Sequence, residues 1–300
     1  TLFREALEGY SETGLHRGQL EMLIRRDLGT RLSRLLRYAS TSGDKFYRYG
    51  IMMSEVEQIM ACIRAFNDED NYKMIGELPL YIEKSTSFDI RALAQVRDFN
   101  ALLEVLDKTP YADLIRPFSV TDMEEFDYTA CESVLQKYFY DQVMKIVDQE
   151  FSGKVKKEIR EIFLTQIELD NITRIYRSKR YFNATPAQIK KVINPVYLRI
   201  PKRELEDMID HCNAEEFMER LARSAYHNYL DSSNFAYIEY HAQSINYNLN
   251  KRHMMFSTNP DIVLIAYLVL SETEIQNVVD IIEGVRYGIP ADKINRLLIY

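Results

Sequence analysis

Glycine is the scarcest informative residue in this 300-residue chain: there are ten, and none lies between Gly153 and Gly284. No Asn-Gly or Asp-Gly pair occurs anywhere, so the usual tight β-hairpin turns are missing. Eight prolines are too few for a linker-rich chain. The three cysteines, Cys62, Cys131 and Cys212, form no CxxC pair and make an odd number; with no signal peptide expected, this fits a reducing cytosol and argues against a disulfide framework. The longest apolar run, Ile262 to Leu270, has nine residues, about half of the ~20 a membrane-spanning helix needs. It reads as a buried helix, so membrane contact is expected only through a partner.

Chemistry is equally sparse. The five histidines, at 16, 211, 227, 241 and 253, give no HExxH and no i, i+4 pair. His211 beside Cys212 is no chelating pair, because neighbours on a helix diverge by about 100°; Cys212 reads as the last member of an apolar stripe. The acidic "FNDEDN" (Phe66 to Asn71) could suggest an α-helical diphosphate-using enzyme with Mg²⁺ on Asp68, Glu69 and Asp70. It has no second acidic motif, and a solvated turn between helices is the plainer reading. A Cys–His hydrolase lacks any residue that would fix a base or an oxyanion site. No glycine-rich phosphate loop is present. Catalytic, cofactor and metal residues are therefore all expected to be none.

Charge excludes a further class. At a formal −7 and a pI near 5.4 the chain repels phosphate backbones. The basic runs "RIYRSKR" (Arg174 to Arg180) and "NLNKRH" (Asn248 to His253) are short and read as solvated helix faces, so no nucleic-acid partner is expected. Tyrosine is plentiful at 21 and suits polar helix seams or a protein interface.

What the chain does contain is repetition. "ELDNITRIYRSKRYF" (Glu168 to Phe182) resembles "EIQNVVDIIEGVRYG" (Glu274 to Gly288) at a separation of 106, pairing Asn171 with Asn277, Ile175 with Ile281 and Arg180 with Arg286. Pro79 and Tyr81 match Pro195 and Tyr197 at 116, then Leu106 and Tyr111 match Leu221 and Tyr226 at 115. Glu132, Gln136 and Tyr140 match Glu239, Gln243 and Tyr247 at 107. Towards the start, Glu21 precedes Ile24 as Glu132 precedes Leu135, at 111, and Glu55, Gln58, Ile59 and Arg64 stand 113 before Glu168, Asn171, Ile172 and Arg177.

These landmarks keep one order, so three tandem pseudo-symmetric units are expected: 1–78, 79–194 and 195–300. The first lacks its opening helices, and a few tens of residues are expected ahead of Thr1.

Within a unit the spacing is helical. Leu205, Met208, Ile209 and Cys212, like Ile275, Val278, Val279 and Ile282, fall at i, i+3, i+4 and i+7. Helix starts are predicted at "SETE" (Ser271 with Glu274), "TDME" (Thr121 with Glu124) and "TPAQ" (Thr185, Pro186, Gln188). No segment sustains a period of two, so the fold class is all-α.

The segments Glu168 to Phe182 and Ile281 to Ile294, with "LDKTPYADLI" (Leu106 to Ile115), resemble the AC39-like family of V-type and A-type rotary ATPase subunits. The resemblance runs along nearly the whole chain, and the incomplete first unit departs from it. It implies a non-catalytic funnel or socket of three helical domains, one copy per complex, at the cytoplasmic face of the membrane. Its implied partners are the rotor shaft subunits and the membrane rotor ring, and its implied role is to transmit torque for ATP-linked proton or sodium transport. Packed helices low in glycine suit a part that must keep its shape under load.

The polar members of the repeated helix are Glu168, Asn171, Arg174 and Arg177, with Glu274, Asn277, Asp280 and Arg286. They either line a socket for the shaft or cap and bridge neighbouring helices within the repeat, since repeated positions serve repeated packing. A helical-repeat scaffold unrelated to ATPases is the rival class.

Overall fold

The structure, a computed structural model, describes Leu23, Ile24, Asp27 and residues 48–66, 86–120, 123–227 and 238–300. "TDME" at Thr121, residues 67–71 of the acidic stretch, His16, Glu21, the Pro79–Tyr81 landmark and the 78/79 boundary lie outside them. Among the described residues there are twelve α-helices and no strand, so the fold is all-α. The chain divides into two compact units, Thr1–Glu150 and Phe151–Tyr300.

In the first unit α1 (Arg48–Ala65) packs on α5 (Tyr128–Glu150), with three short helices between them in sequence: α2 (Ile90–Leu93), α3 (Phe99–Leu106) and α4 (Pro110–Ile115). Asp98 starts α3 by accepting the Ala101 N–H at 2.9 Å. Leu93, Leu102, Leu106 and Ile115 are fully buried, as are Ile59, Cys62 and Ile63 of α1.

The second unit holds α6 (Gly153–Phe182), α7 (Pro186–Val192), α8 (Lys202–His211), α9 (Ala214–Arg223), α10 (Ile238–Phe256), α11 (Pro260–Arg286) and α12 (Ala291–Asn295). Helices α6 and α10 run antiparallel. Arg177 pairs with Glu239 at 3.4 Å at one end, and Glu161 and Glu158 reach towards His253 at the other. One core joins Leu169, Ile172 and Ile175 of α6 to Leu205, Met208 and Ile209 of α8, Phe217, Met218 and Leu221 of α9, and Ile238 and Ile245 of α10.

Helix ends follow local chemistry. Thr185 and Gln188 form the predicted capping box with Pro186 at the first helical position of α7. Asn213 and Glu216 form another at α9. Helix α6 stops where Asn183 turns left-handed at φ 46°, and α11 is followed by Gly288 at φ 65°, a conformation glycine adopts freely and asparagine tolerates.

The start predicted at "SETE" is corrected: Ser271 and Glu274 lie inside α11. That helix begins at Asn259, whose side chain accepts the Asp261 and Ile262 N–H groups at 3.0 and 3.2 Å, with Pro260 next. The apolar residues after Pro260 are already helical, so at Ser271 no unsatisfied N–H is left to cap. Ile262, Ile265 and Ala266 are buried, as expected of the apolar run. Helix α11 is also the one described helix long and apolar enough to cross a membrane. Here it packs on α10.

Candidate functional site

A carboxylate placed inside a helical core is costly unless donors surround it. Glu168, in the middle of α6, is 0% exposed. Its Oε1 accepts the backbone N–H groups of Leu198, Arg199 and Ile200 at 2.8, 3.0 and 3.1 Å, and its Oε2 accepts the Tyr226 hydroxyl at 2.6 Å. The three N–H groups come from the bend that leads into α8, which has no ladder partner for them. The tyrosine follows α9. One side chain thus fastens both ends of the α8–α9 hairpin to α6. Arg199 closes over this clasp: its guanidinium stands 5.9 Å from the Tyr226 ring and donates to Thr165 at 2.6 Å and to Glu161 at 3.2 Å.

The same construction recurs in the first unit. Glu55 of α1, also buried, accepts the Ser87 N–H ahead of α2 and the Tyr111 hydroxyl at 2.7 Å. Burial, and then the neighbouring carboxylate, push both phenols well above the ordinary tyrosine range. Smaller contacts repeat as well. Thr109 donates to the Leu106 carbonyl at 2.8 Å and Ser224 to that of Leu221 at 2.7 Å. Arg64 pairs with Glu132 at 3.4 Å as Arg177 does with Glu239.

A second clasp is made on both α6 and α11. Asn194, after α7, donates its N–H to the Asn171 side-chain oxygen at 2.9 Å, and the Asn171 amide donates back to the Asn194 carbonyl. Ile299, after α12, donates to Asn277 at 3.0 Å, and the Asn277 amide returns to the Ile299 carbonyl at 2.7 Å. In each case an asparagine on a long helix holds the chain that returns after a short helix.

The eight sequence candidates therefore have different surroundings. Glu168 and Asn171 are buried and bound within their unit, and Asn277 is half-buried and bound likewise. Arg174 donates to the Val192 carbonyl at the end of α7 at 2.9 Å. Asp280 is half-buried and accepts from Gln276 at 2.8 Å. Arg177 is exposed and paired with Glu239. Glu274 and Arg286 are exposed, and neither has a hydrogen bond or ion pair among the described residues.

Nothing in the sequence spacing connects Glu168 with Tyr226, or Glu55 with Tyr111, directly; the signal present is that both members of each pair recur about one repeat apart. Cys212, expected in the α8 stripe, sits just past the helix as its cap, half-buried and 3.5 Å from an Arg220 donor.

Buried carboxylates consumed by backbone N–H groups, with no three His, Cys, Asp or Glu side chains grouped for a metal among the described residues, define an all-α protein fastened by polar clasps. Residues 1–297 match the family model described as ATP synthase (C/AC39) subunit, and the chain belongs to that family. No curated protein matches the chain.

Proposed function

We propose that this chain is a non-catalytic central-stalk subunit of a V/A-type ATPase, coupling the rotor shaft to the membrane rotor ring from the cytoplasmic side, with one copy per complex. The observation that carries the reading is the family match over residues 1–297. The clasps support it mechanically: a coupling part must resist shear between helix layers, and a carboxylate engaged by four donors ties those layers directionally where apolar contact alone would let them slide.

In this reading the chain consists of three repeats, 1–78, 79–194 and 195–300, the first two fastened to the next by Glu55 and Glu168 of their long helices. Glu168 and Asn171 serve that fastening. Arg177, Glu274, Asp280 and Arg286 remain the polar candidates for shaft or ring contact. Beside them Tyr181, Phe182 and Tyr287 are 63%, 69% and 74% exposed at the ends of α6 and α11, and exposed aromatics beside arginine suit a protein partner.

The test is affinity capture of the full-length protein from detergent-solubilised membranes of its source, followed by mass spectrometry. Recovery of shaft and ring subunits with one copy of this chain is the expected result. Absence of ATPase subunits under conditions that keep the complex intact would return the protein to the class of helical scaffolds.

A further inference from the structure

Helix α10 ends in exposed apolar side chains. Its last three residues, Met254, Met255 and Phe256, are 44%, 67% and 76% exposed. Successive helix positions diverge by about 100°, so the three splay round the helix end instead of forming one stripe. Local bonds hold this tip in shape. Ser257 donates its N–H to the His253 carbonyl at 2.9 Å, Asn259 donates its N–H to the Ser257 hydroxyl at 3.2 Å, and the Asn259 side chain then starts α11.

Cations surround the tip. Lys251 and Arg252 lie immediately before it and are exposed. The Lys251 ammonium stands 5.4 Å from the centre of the Tyr247 ring. Helix α6 runs antiparallel to α10, and its Glu158 and Glu161 face His253, so the first turns of α6 lie beside the end of α10. Lys154 and Lys157 precede those glutamates by one helical turn each, on the same face and nearer the tip. Both are exposed, and Lys154 pairs with Glu158 at 3.4 Å. Asp261, in the first turn of α11, is buried and engaged elsewhere.

The geometry points to this tip as a direct membrane-contact site, at which Met254, Met255 and Phe256 enter the headgroup layer of a bilayer while Lys157, Lys251 and Arg252 engage anionic lipid. The stalk reading brings the chain to the membrane only through the ring, and the inference goes beyond it. Two features favour lipid over a protein surface. Apolar groups splayed round a helix end need contact on several sides, which a fluid headgroup layer supplies and a flat protein face does not. Cations flanking an apolar segment are also the pattern of interfacial anchors, whose long stems let the charge stay at the headgroups. The net charge of −7 does not cancel this, because at physiological salt charges more than about 8 Å away are screened.

The chain has no tryptophan, so Phe256→Trp introduces a single fluorescent reporter at the tip. The purified chain is mixed with phosphatidylcholine vesicles, and with vesicles in which about one lipid in three is phosphatidylserine. The expected result is a blue shift, and quenching by chain-brominated lipid, with the anionic vesicles. Co-sedimentation of the unaltered protein with those vesicles should weaken about fivefold on Lys251→Gln or Arg252→Gln, and about tenfold or more when Met255→Ser and Phe256→Ser are combined. Lys191→Gln, which removes an exposed charge at the end of α7, should change it by less than about twofold. No shift on anionic vesicles, or binding that the tip substitutions leave unchanged, overturns the proposal. A shift given by added rotor subunits and not by vesicles assigns the tip to a protein partner and overturns it as well. The vesicle assay contains no ATPase subunit, so the stalk role and the lipid contact can fail separately.

Discussion

Tyr226 donates its phenolic hydrogen to Glu168 at 2.6 Å across 58 positions of sequence, and Tyr111 makes the same bond to Glu55 at 2.7 Å across 56. Both bonds are buried and both end on a carboxylate, so each belongs to the stronger, charge-assisted kind. Removing the hydroxyl leaves the carboxylate short of one donor and without access to water. Tyr226→Phe is therefore expected to lower stability by about 2 kcal/mol, within the range for a buried bond to a charged group. Urea unfolding checks it. Tyr181→Phe, at an exposed position, should shift the midpoint within the roughly 0.5 kcal/mol usual for surface changes.

Alkaline pH acts on the same two bonds. Burial, with Glu55 or Glu168 next in size, holds the Tyr111 and Tyr226 phenols above the ordinary tyrosine value. The unfolded chain releases these protons near pH ~10 while the folded one keeps them, so the unfolded state binds fewer protons. The contribution of these two tyrosines is then fully present below pH ~10 and falls as pH rises towards the raised folded values, at up to about 1.4 kcal/mol per unit for each tyrosine. Urea midpoints measured from about two units below to about one unit above pH ~10 should show the decline beginning near the upper end. The buried Cys62 and Cys131 thiols, also raised, add a decline of their own, so Tyr226→Phe should remove only the part of the slope due to its own phenol, up to about 1.4 kcal/mol per unit, and an unaltered slope would contradict the assignment.

The helical class was legible in the glycine gap and the i, i+3, i+4 spacings. The recurring residues were legible too: Glu168 and Tyr226 have sequence counterparts in Glu55 and Tyr111, which make the same buried bond, and Asn171 has one in Asn277, which holds its returning chain likewise. What could not be read was which repeated residues touch each other. Glu168 meets residues that follow it by some thirty positions, and periodicity within one helix says nothing about a hairpin that begins so much later. For the same reason Glu168 and Glu274 look alike in sequence although one is buried and bound while the other is bare. The start of α11 was misplaced because "SETE" matches a capping box locally, whereas the burial of Ile262 and Ile265 requires a helix from Asn259 onward.

Thiol accessibility should follow the core. Burial pushes the Cys62 and Cys131 thiols up to about 12, so in the native protein near pH ~8, close to the ordinary thiol value, they are neutral and enclosed. Cys212 is half-buried at the end of α8. A thiol-disulfide reagent is expected to modify Cys212 ahead of the other two under native conditions, and all three cysteines in denaturant. Equal native rates for Cys62 and Cys212 would place the α2 segment away from α1.

The last test concerns the junction of α11 with α12. Gly284 lets α12 lie directly on α11: a β-carbon there would meet the Ile294 Cδ1 and Cγ1 atoms at 2.5 Å. Alanine is the better helix former by about 1 kcal/mol. Against that stands overpacking, which costs about 1–3 kcal/mol when side chains must shift. Because two atoms of a buried isoleucine are involved, including the branch next to its β-carbon, overpacking should win and Gly284→Ala should lower the thermal midpoint. Ile294→Ala empties the space the new methyl needs, so adding Gly284→Ala to that background should cost less than it does in the parent, or should stabilise through helix propensity. A double-mutant cycle on thermal midpoints measures this coupling. Strict additivity would mean that α12 does not sit against Gly284, and would leave Asn277 without its reason for holding Ile299.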